Sequence, residues 1–236
     1  MLRPALLALA LLCALPARAG DITVSAAASL TEAFREIGRS YEGSHRGVHL
    51  AFNFGASGAL MQQIVKGAPV DVFAAADQES MDGAARQGLV RTRANFAGNR
   101  LVVVVPPSGR IDKLADLAGA TRIAIGNPAS VPVGRYAREA LQAARLWEAL
   151  EAKFIQTQNV RQALDYVARG EVDAGFVYAT DVPLARVRQA FEVPMAKPIS
   201  YPIATVSANP EAQQFLAYVL SPAGQAILQS FGFAKP

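Results

Sequence analysis

The 236-residue chain is 52% hydrophobic and carries 23 basic against 19 acidic side chains, with two histidines and one cysteine. That is ample apolar material for a core, and it argues against a disordered chain, a disulfide framework or a cysteine–histidine zinc site. The basic residues are scattered and not interleaved with aromatics, which argues against a nucleic-acid-binding face.

Residues 1–19 read as a secretory signal peptide. Arg3 supplies the positive start, Ala5 to Leu15 the apolar run, and Ala17-Arg18-Ala19 the cleavage signal. The run is too short for a bilayer span, which needs roughly 20 residues. Cys13 follows Leu12 and not the small residue of a lipoprotein signal, so cleavage after Ala19 leaves no cysteine. Without Arg3 and Arg18 the mature chain has about 217 residues, 21 basic and 19 acidic, a net charge of +2. Export of this kind implies a periplasmic protein.

Along the mature chain, β-rich runs alternate with amphipathic helical patterns. Ile22 to Ala27 predicts a strand, and Leu30, Ala33, Phe34, Ile37 and Tyr41 follow at helical spacing. Leu50 to Phe54 predicts a strand, with a helix from Gly58 to Lys66. Val70 to Ala75 is a strand, and Asp77 caps the helix after it. Leu101 to Val105, Arg122 to Gly126, Phe154 to Gln156 and Ala174 to Ala179 are further strands. Helices are expected over Gly134 to Trp147 and Val160 to Ala168, the latter with Val160, Ala163, Leu164 and Val167 on one face. After a strand at Tyr201 to Val206, Asn209-Pro210 and Ser221-Pro222 each start a closing helix. This alternation predicts an α/β fold with largely parallel sheets.

The length suits one large domain or two lobes, and no low-complexity linker interrupts it. Two lobes must then be joined by strands. The expected crossings are Leu101 to Val105 outward and Tyr201 to Val206 back, each apolar and next to proline. That gives lobe I as residues 20–102 plus 204–236 and lobe II as 103–203, with a ligand cleft between them.

Three strands end in a small polar residue that opens a helix: Ser29, in capping-box spacing with Glu32; Ser57; and Asn159. A fourth helix opens after Asn127-Pro128 through Val131-Pro132-Val133-Gly134. Helix starts expose unpaired N–H groups and partial positive charge, and several aimed at one cleft bind an anion without charged side chains. The small residues Ala27, Ala28, Gly55, Ala56 and Gly58 let an anion approach the backbone.

The joint pattern resembles the periplasmic molybdate-binding proteins of ABC importers. The motifs are Ser25-Ala26-Ala27-Ala28-Ser29-Leu30, Ala68 to Phe73 with Ala76-Asp77-Gln78, Gly126-Asn127-Pro128, and Val131 to Gly134. Tyr136 to Leu141, Asn159 to Leu164 and Gly170 to Tyr178 extend it across the mature chain in the same order. The resemblance implies a type II periplasmic-binding-protein fold, two α/β lobes joined by two crossover strands. It also implies molybdate or tungstate as the ligand, with no cofactor and no metal except as that oxyanion. The partner implied is the membrane permease of an ABC importer, and the protein is expected as a monomer. Ser29 and Ser57 would donate through hydroxyl and backbone N–H, Val133 and Val160 through backbone N–H, and Tyr178 through its phenol. At Val133 relatives often carry alanine.

An all-donor pocket suits a tetrahedral dianion without a proton. Hydrogen phosphate carries a proton and needs an acceptor, and the carboxylates near strand ends, Asp77 and Asp181, are read as helix caps and not as acceptors for a ligand. Sulfate or thiosulfate is the open alternative, since sulfate has the same charge and shape as molybdate; only the resemblance separates them. A serine hydrolase is the weaker alternative: Gly55-Ala56-Ser57-Gly58-Ala59 misses the final glycine of the nucleophile elbow, and His45 and His49 precede the serine. No catalytic residue is therefore expected.

Overall fold

A computed structural model describes residues 20–236; the expected signal peptide, Cys13 included, lies outside them. The chain begins β1 (Ile22–Ala27), α1 (Thr31–Ser44), β2 (Leu50–Gly55), α2 (Ser57–Val65), β3 (Val72–Ala74), α3 (Gln78–Arg86) and β4 (Arg93–Asn99). It continues through β5 (Leu101–Val105), β6 (Ile123–Gly126), α4 (Pro132–Ala143), the single turn α5 (Trp147–Leu150), β7 (Phe154–Thr157), α6 (Val160–Ala168), β8 (Ala174–Tyr178) and β9 (Arg188–Glu192). It ends with β10 (Ile199–Thr205), α7 (Pro210–Leu220) and α8 (Pro222–Ser230).

The strands form two five-stranded sheets, ordered β2-β1-β3-β10-β4 and β7-β6-β8-β5-β9. Helical periodicity seats each helix. The α1 face of Ala33, Phe34, Ile37 and Tyr41 is buried, with Phe34 edge-on to Phe96 at 5.7 Å and to Phe215 of α7 at 6.4 Å. The second lobe packs Val160, Ala163, Leu164 and Val167 of α6 inward. Asn209 and Ser221 cap α7 and α8 through Glu211 N and Gly224 N. Asp77 caps α3 by accepting from Ser80 N at 3.3 Å.

Three expectations need correction. The sheets are mixed, not largely parallel: β1 and β6 pair in parallel with their neighbours, while β10 and β5 run antiparallel to theirs. β10 enters its sheet from the other lobe and not through a local strand–helix–strand unit, so nothing imposes parallel pairing on it. The chain changes sheets at Arg100 and again between Glu192 and Ile199. Neither Leu101–Val105 nor Tyr201–Val206 therefore spans the lobes, and the expected boundaries at 102/103 and 203/204 fall inside β5 and β10. The apolarity of these strands reflects central positions, β5 between β8 and β9 and β10 between β3 and β4. Finally, the helix expected to reach Trp147 ends at Ala143, because Arg145 adopts the left-handed conformation at φ 57°.

Candidate functional site

Four helix starts converge where the two lobes face each other. Ser29 lies in the short 3₁₀ turn Ala28–Leu30 that leads into α1, and Ser57 is the first residue of α2. From the second lobe come Val131, Pro132 and Val133 at the start of α4, and Asn159 and Val160 at the start of α6. Tyr178 closes the ring from the end of β8. All five expected residues, Ser29, Ser57, Val133, Val160 and Tyr178, line one cavity of about 10 Å³, and no lining residue bears a charge. Ligand pockets for extended organic molecules run to roughly 300–1,000 Å³, so this one has room only for a compact solute. First-turn N–H groups such as those of Val133 and Val160 have no partner within their own helices, so the backbone presents donors to the cavity.

The side chains add more donors. Ser57 Oγ accepts from the Ala76 backbone N–H at 3.0 Å, which leaves the Ser57 proton free. Ser29 Oγ lies 3.1 Å from the Tyr201 hydroxyl. Among the described residues, the buried Tyr178 hydroxyl has no hydrogen-bond partner. Burial, followed by the neighbouring Tyr201 and Tyr136, holds the Tyr178 phenol well above its ordinary pKa, so it keeps its proton.

These bonds correct two readings. Neither Ser29 nor Ser57 caps its helix with its side chain: α1 and α2 have Leu30 and Ala56 at the cap position, and neither cap makes a side-chain bond. Glu32, expected to complete a capping box with Ser29, instead pairs with Arg161 of the facing lobe. The serine hydroxyls are drawn away from their own backbones by partners distant in sequence. Asn159 does cap α6, accepting from Gln162 N at 3.0 Å.

Sequence reasoning missed the contacts that tie the lobes together. Arg135 of α4 reaches across to Asp77 at 2.7 Å and to Ser80 Oγ at 2.8 Å. Gly58 N–H donates to the Ser130 carbonyl at 3.0 Å, and the Tyr136 hydroxyl to the Ala76 carbonyl at 3.3 Å. Arg161 also lies 3.3 Å from the fully buried Asp181. Burial pushes the Asp181 carboxyl up to about 6 against the opposing pull of Arg161. Asp181 Oδ2 accepts the Tyr178 backbone N–H at 3.0 Å, so it holds the strand end in place and does not line the cavity. The signal for these pairs was slight: a lone arginine one residue after a helix start looks like an ordinary surface charge.

The family model of bacterial extracellular solute-binding proteins matches residues 22–234. The chain belongs to that family. This solute-binding protein is 36% identical over 229 residues to the molybdate-binding protein ModA of Escherichia coli, which covers 91% of this chain and 89% of the relative. The structure of the Azotobacter vinelandii periplasmic molybdate-binding protein matches with a TM-score of 0.80 at 26% identity, over 91% of this chain and 99% of that one. The sulfate-binding protein SubI of Mycobacterium tuberculosis matches with a TM-score of 0.78 at 18% identity, over 91% of this chain and 86% of that one. That last likeness concerns the fold alone. The two-lobed periplasmic-binding-protein architecture is thus shared by this chain and both solved structures, and fold by itself does not choose the solute.

Proposed function

We propose that this solute-binding protein captures molybdate, and tungstate with it, outside the cytoplasmic membrane and hands it to the permease of an ABC importer. The observation that carries the reading is the Tyr178 hydroxyl, buried and unpartnered in a cavity without charged lining residues. Ser57 has its oxygen already engaged, and the helix starts contribute only N–H groups. Such a set gives protons and takes none, which matches a tetrahedral dianion that has no proton to give. Ser29, Ser57 and Tyr178 donate through hydroxyls, and Val133 and Val160 through backbone N–H. A backbone contact at Val133 does not depend on the identity of its side chain. The protein works by binding alone, as a monomer of two lobes hinged at Arg100 and at residues 193–198, with no catalytic group.

Calorimetric titration of the mature protein with molybdate, tungstate, sulfate and phosphate tests the solute. Saturable one-site binding of the first two, with sulfate and phosphate much weaker, is expected. Sulfate binding as tightly as molybdate replaces the proposal with the sulfate reading. A hydrogen bond to a charged group contributes roughly 1.5–3 kcal/mol. Ser29→Ala and Ser57→Ala therefore each weaken molybdate binding by about tenfold to a hundredfold. Wild-type affinity in both variants removes these residues from the site.

Tyr178→Phe has a two-sided signature. Molybdate binding falls by about tenfold, while the ligand-free protein loses a buried hydroxyl that has no partner. Its melting temperature therefore stays level or rises, at about 2–4 °C per kcal/mol for a chain of this size. A variant that melts lower and binds normally contradicts the assignment of Tyr178.

A further inference from the structure

Behind the Ser29 hydroxyl runs a chain of hydrogen bonds with a fixed direction. It begins where the backbone leaves the first sheet. The Arg100 backbone N–H, which can only donate, gives its proton to Asn99 Oδ1 at 2.9 Å. That orients the amide, so Asn99 Nδ2 faces the Tyr201 hydroxyl at 3.2 Å and Thr180 Oγ1 at 2.9 Å. An amide nitrogen has no lone pair to offer, so the Tyr201 oxygen accepts. Tyr201 is fully buried, and burial keeps its phenol protonated at neutral pH. Its proton then goes to Ser29 Oγ at 3.1 Å. Were Ser29 to donate in the other direction, the buried Tyr201 proton would be left without an acceptor, which buried donors rarely tolerate. With its oxygen engaged, Ser29 turns its own proton into the cavity. Ser57 reaches the same state by a shorter route, since Ala76 N–H holds its oxygen.

We infer that Tyr201, oriented by Asn99, is a positioning residue that makes Ser29 an obligate donor and so sets the site against oxyanions that carry a proton. The inference rests on the molybdate reading and adds a cause to it. Rejection of hydrogen phosphate then comes from the groups standing behind the donors, as well as from the lack of a carboxylate in the lining. Asn99, the last residue of β4 and next to the hinge at Arg100, relays that polarity from the Arg100 N–H to Tyr201.

The substitution that tests this is Asn99→Asp, which is isosteric. One carboxylate oxygen still accepts from Arg100 N–H. The other now accepts from the Tyr201 hydroxyl, so Tyr201 accepts from Ser29, and a Ser29 lone pair faces the cavity. The readout is the ratio of affinities for molybdate and for phosphate at mildly alkaline pH, where phosphate is mostly the dianion with one proton. Both ligands then carry the same charge, so the new buried carboxylate weakens both alike and the ratio reports the proton. The ratio is expected to fall by at least about tenfold, the scale of one hydrogen bond to a charged group. An unchanged ratio in an Asn99→Asp protein that melts cooperatively overturns the inference. Tyr201→Phe is the second variant and decides the matter if the first does not fold. It frees the Ser29 hydroxyl to turn, and molybdate affinity is expected to drop several-fold; wild-type affinity there also overturns the inference. A wild-type protein that fails to prefer molybdate over phosphate shows its result before any variant is made, and removes the functional reading along with this one.

Discussion

Replacing Gly58 with alanine is expected to weaken molybdate binding on the order of a hundredfold while the protein stays folded. A Cβ at Gly58 would stand 2.6 Å from the Ser130 carbonyl oxygen, 3.0 Å from its Cα and 3.1 Å from its carbonyl carbon. All three are backbone atoms of the facing lobe, so no side-chain rotation relieves the clash. The same approach carries the Gly58 N–H to Ser130 carbonyl bond at 3.0 Å, which the substitution also stretches. Overpacking costs about 1–3 kcal/mol, and the lost hydrogen bond about 0.5–1.5 kcal/mol more. Both penalties fall on the closed arrangement, because lobes that have swung apart no longer bring residue 58 to Ser130. A ligand held by both lobes must then supply that free energy before it can bind, and its affinity falls accordingly. Titration measures the loss. Small-angle scattering with saturating molybdate is expected to show a larger radius of gyration for the variant than for the wild type. Unaltered affinity would show that the lobes need not approach this closely.

Gly134→Ala should act on the fold itself. Its Cβ would lie 1.8 Å from the Gly126 carbonyl oxygen and 2.5 Å from the Gly126 carbonyl carbon. Gly134 sits in the first turn of α4, whose Pro132 and Val133 line the cavity, and Gly126 ends β6. Helix and strand belong to the same lobe, so no lobe movement separates them, and α4 must be pushed bodily off the sheet. A loss of about 3 kcal/mol or more is expected, at the severe end for a single substitution. That lowers the melting temperature by roughly 6–12 °C. Gly119→Ala is the matched control, because an added Cβ there meets nothing within 4 Å. Equal melting of the two variants would contradict the tight packing of α4 against β6.

The elements whose burial is written in their own residues were legible in the sequence. The α6 span Val160–Ala168 coincides with its helical period, since a helix facing one core writes that face into its residues, and the β1 span Ile22–Ala27 coincides with a short, almost wholly buried run between two neighbouring strands. β4 and β9 were not foreseen. Arg93–Asn99 and Arg188–Glu192 are mostly polar or small, and they are strands because β10 and β5 supply their hydrogen-bond ladders. A strand whose identity lies in its partner leaves little trace in its own composition.

The site divides along the same line. From the sequence came the leader pattern, the run of helix starts with small residues before them, and the resemblance that singled out Ser29, Ser57, Val133, Val160 and Tyr178. The tertiary structure alone decided what the two serines do. A serine at a helix start can bond the N–H groups of its own first turn or a group elsewhere, and nothing local separates these options. Here Tyr201, 172 residues from Ser29, and the Ala76 N–H, 19 residues from Ser57, claim the oxygens. Those long-range partners turn two ordinary helix-start serines into directed proton donors, and folding is what brings them within reach.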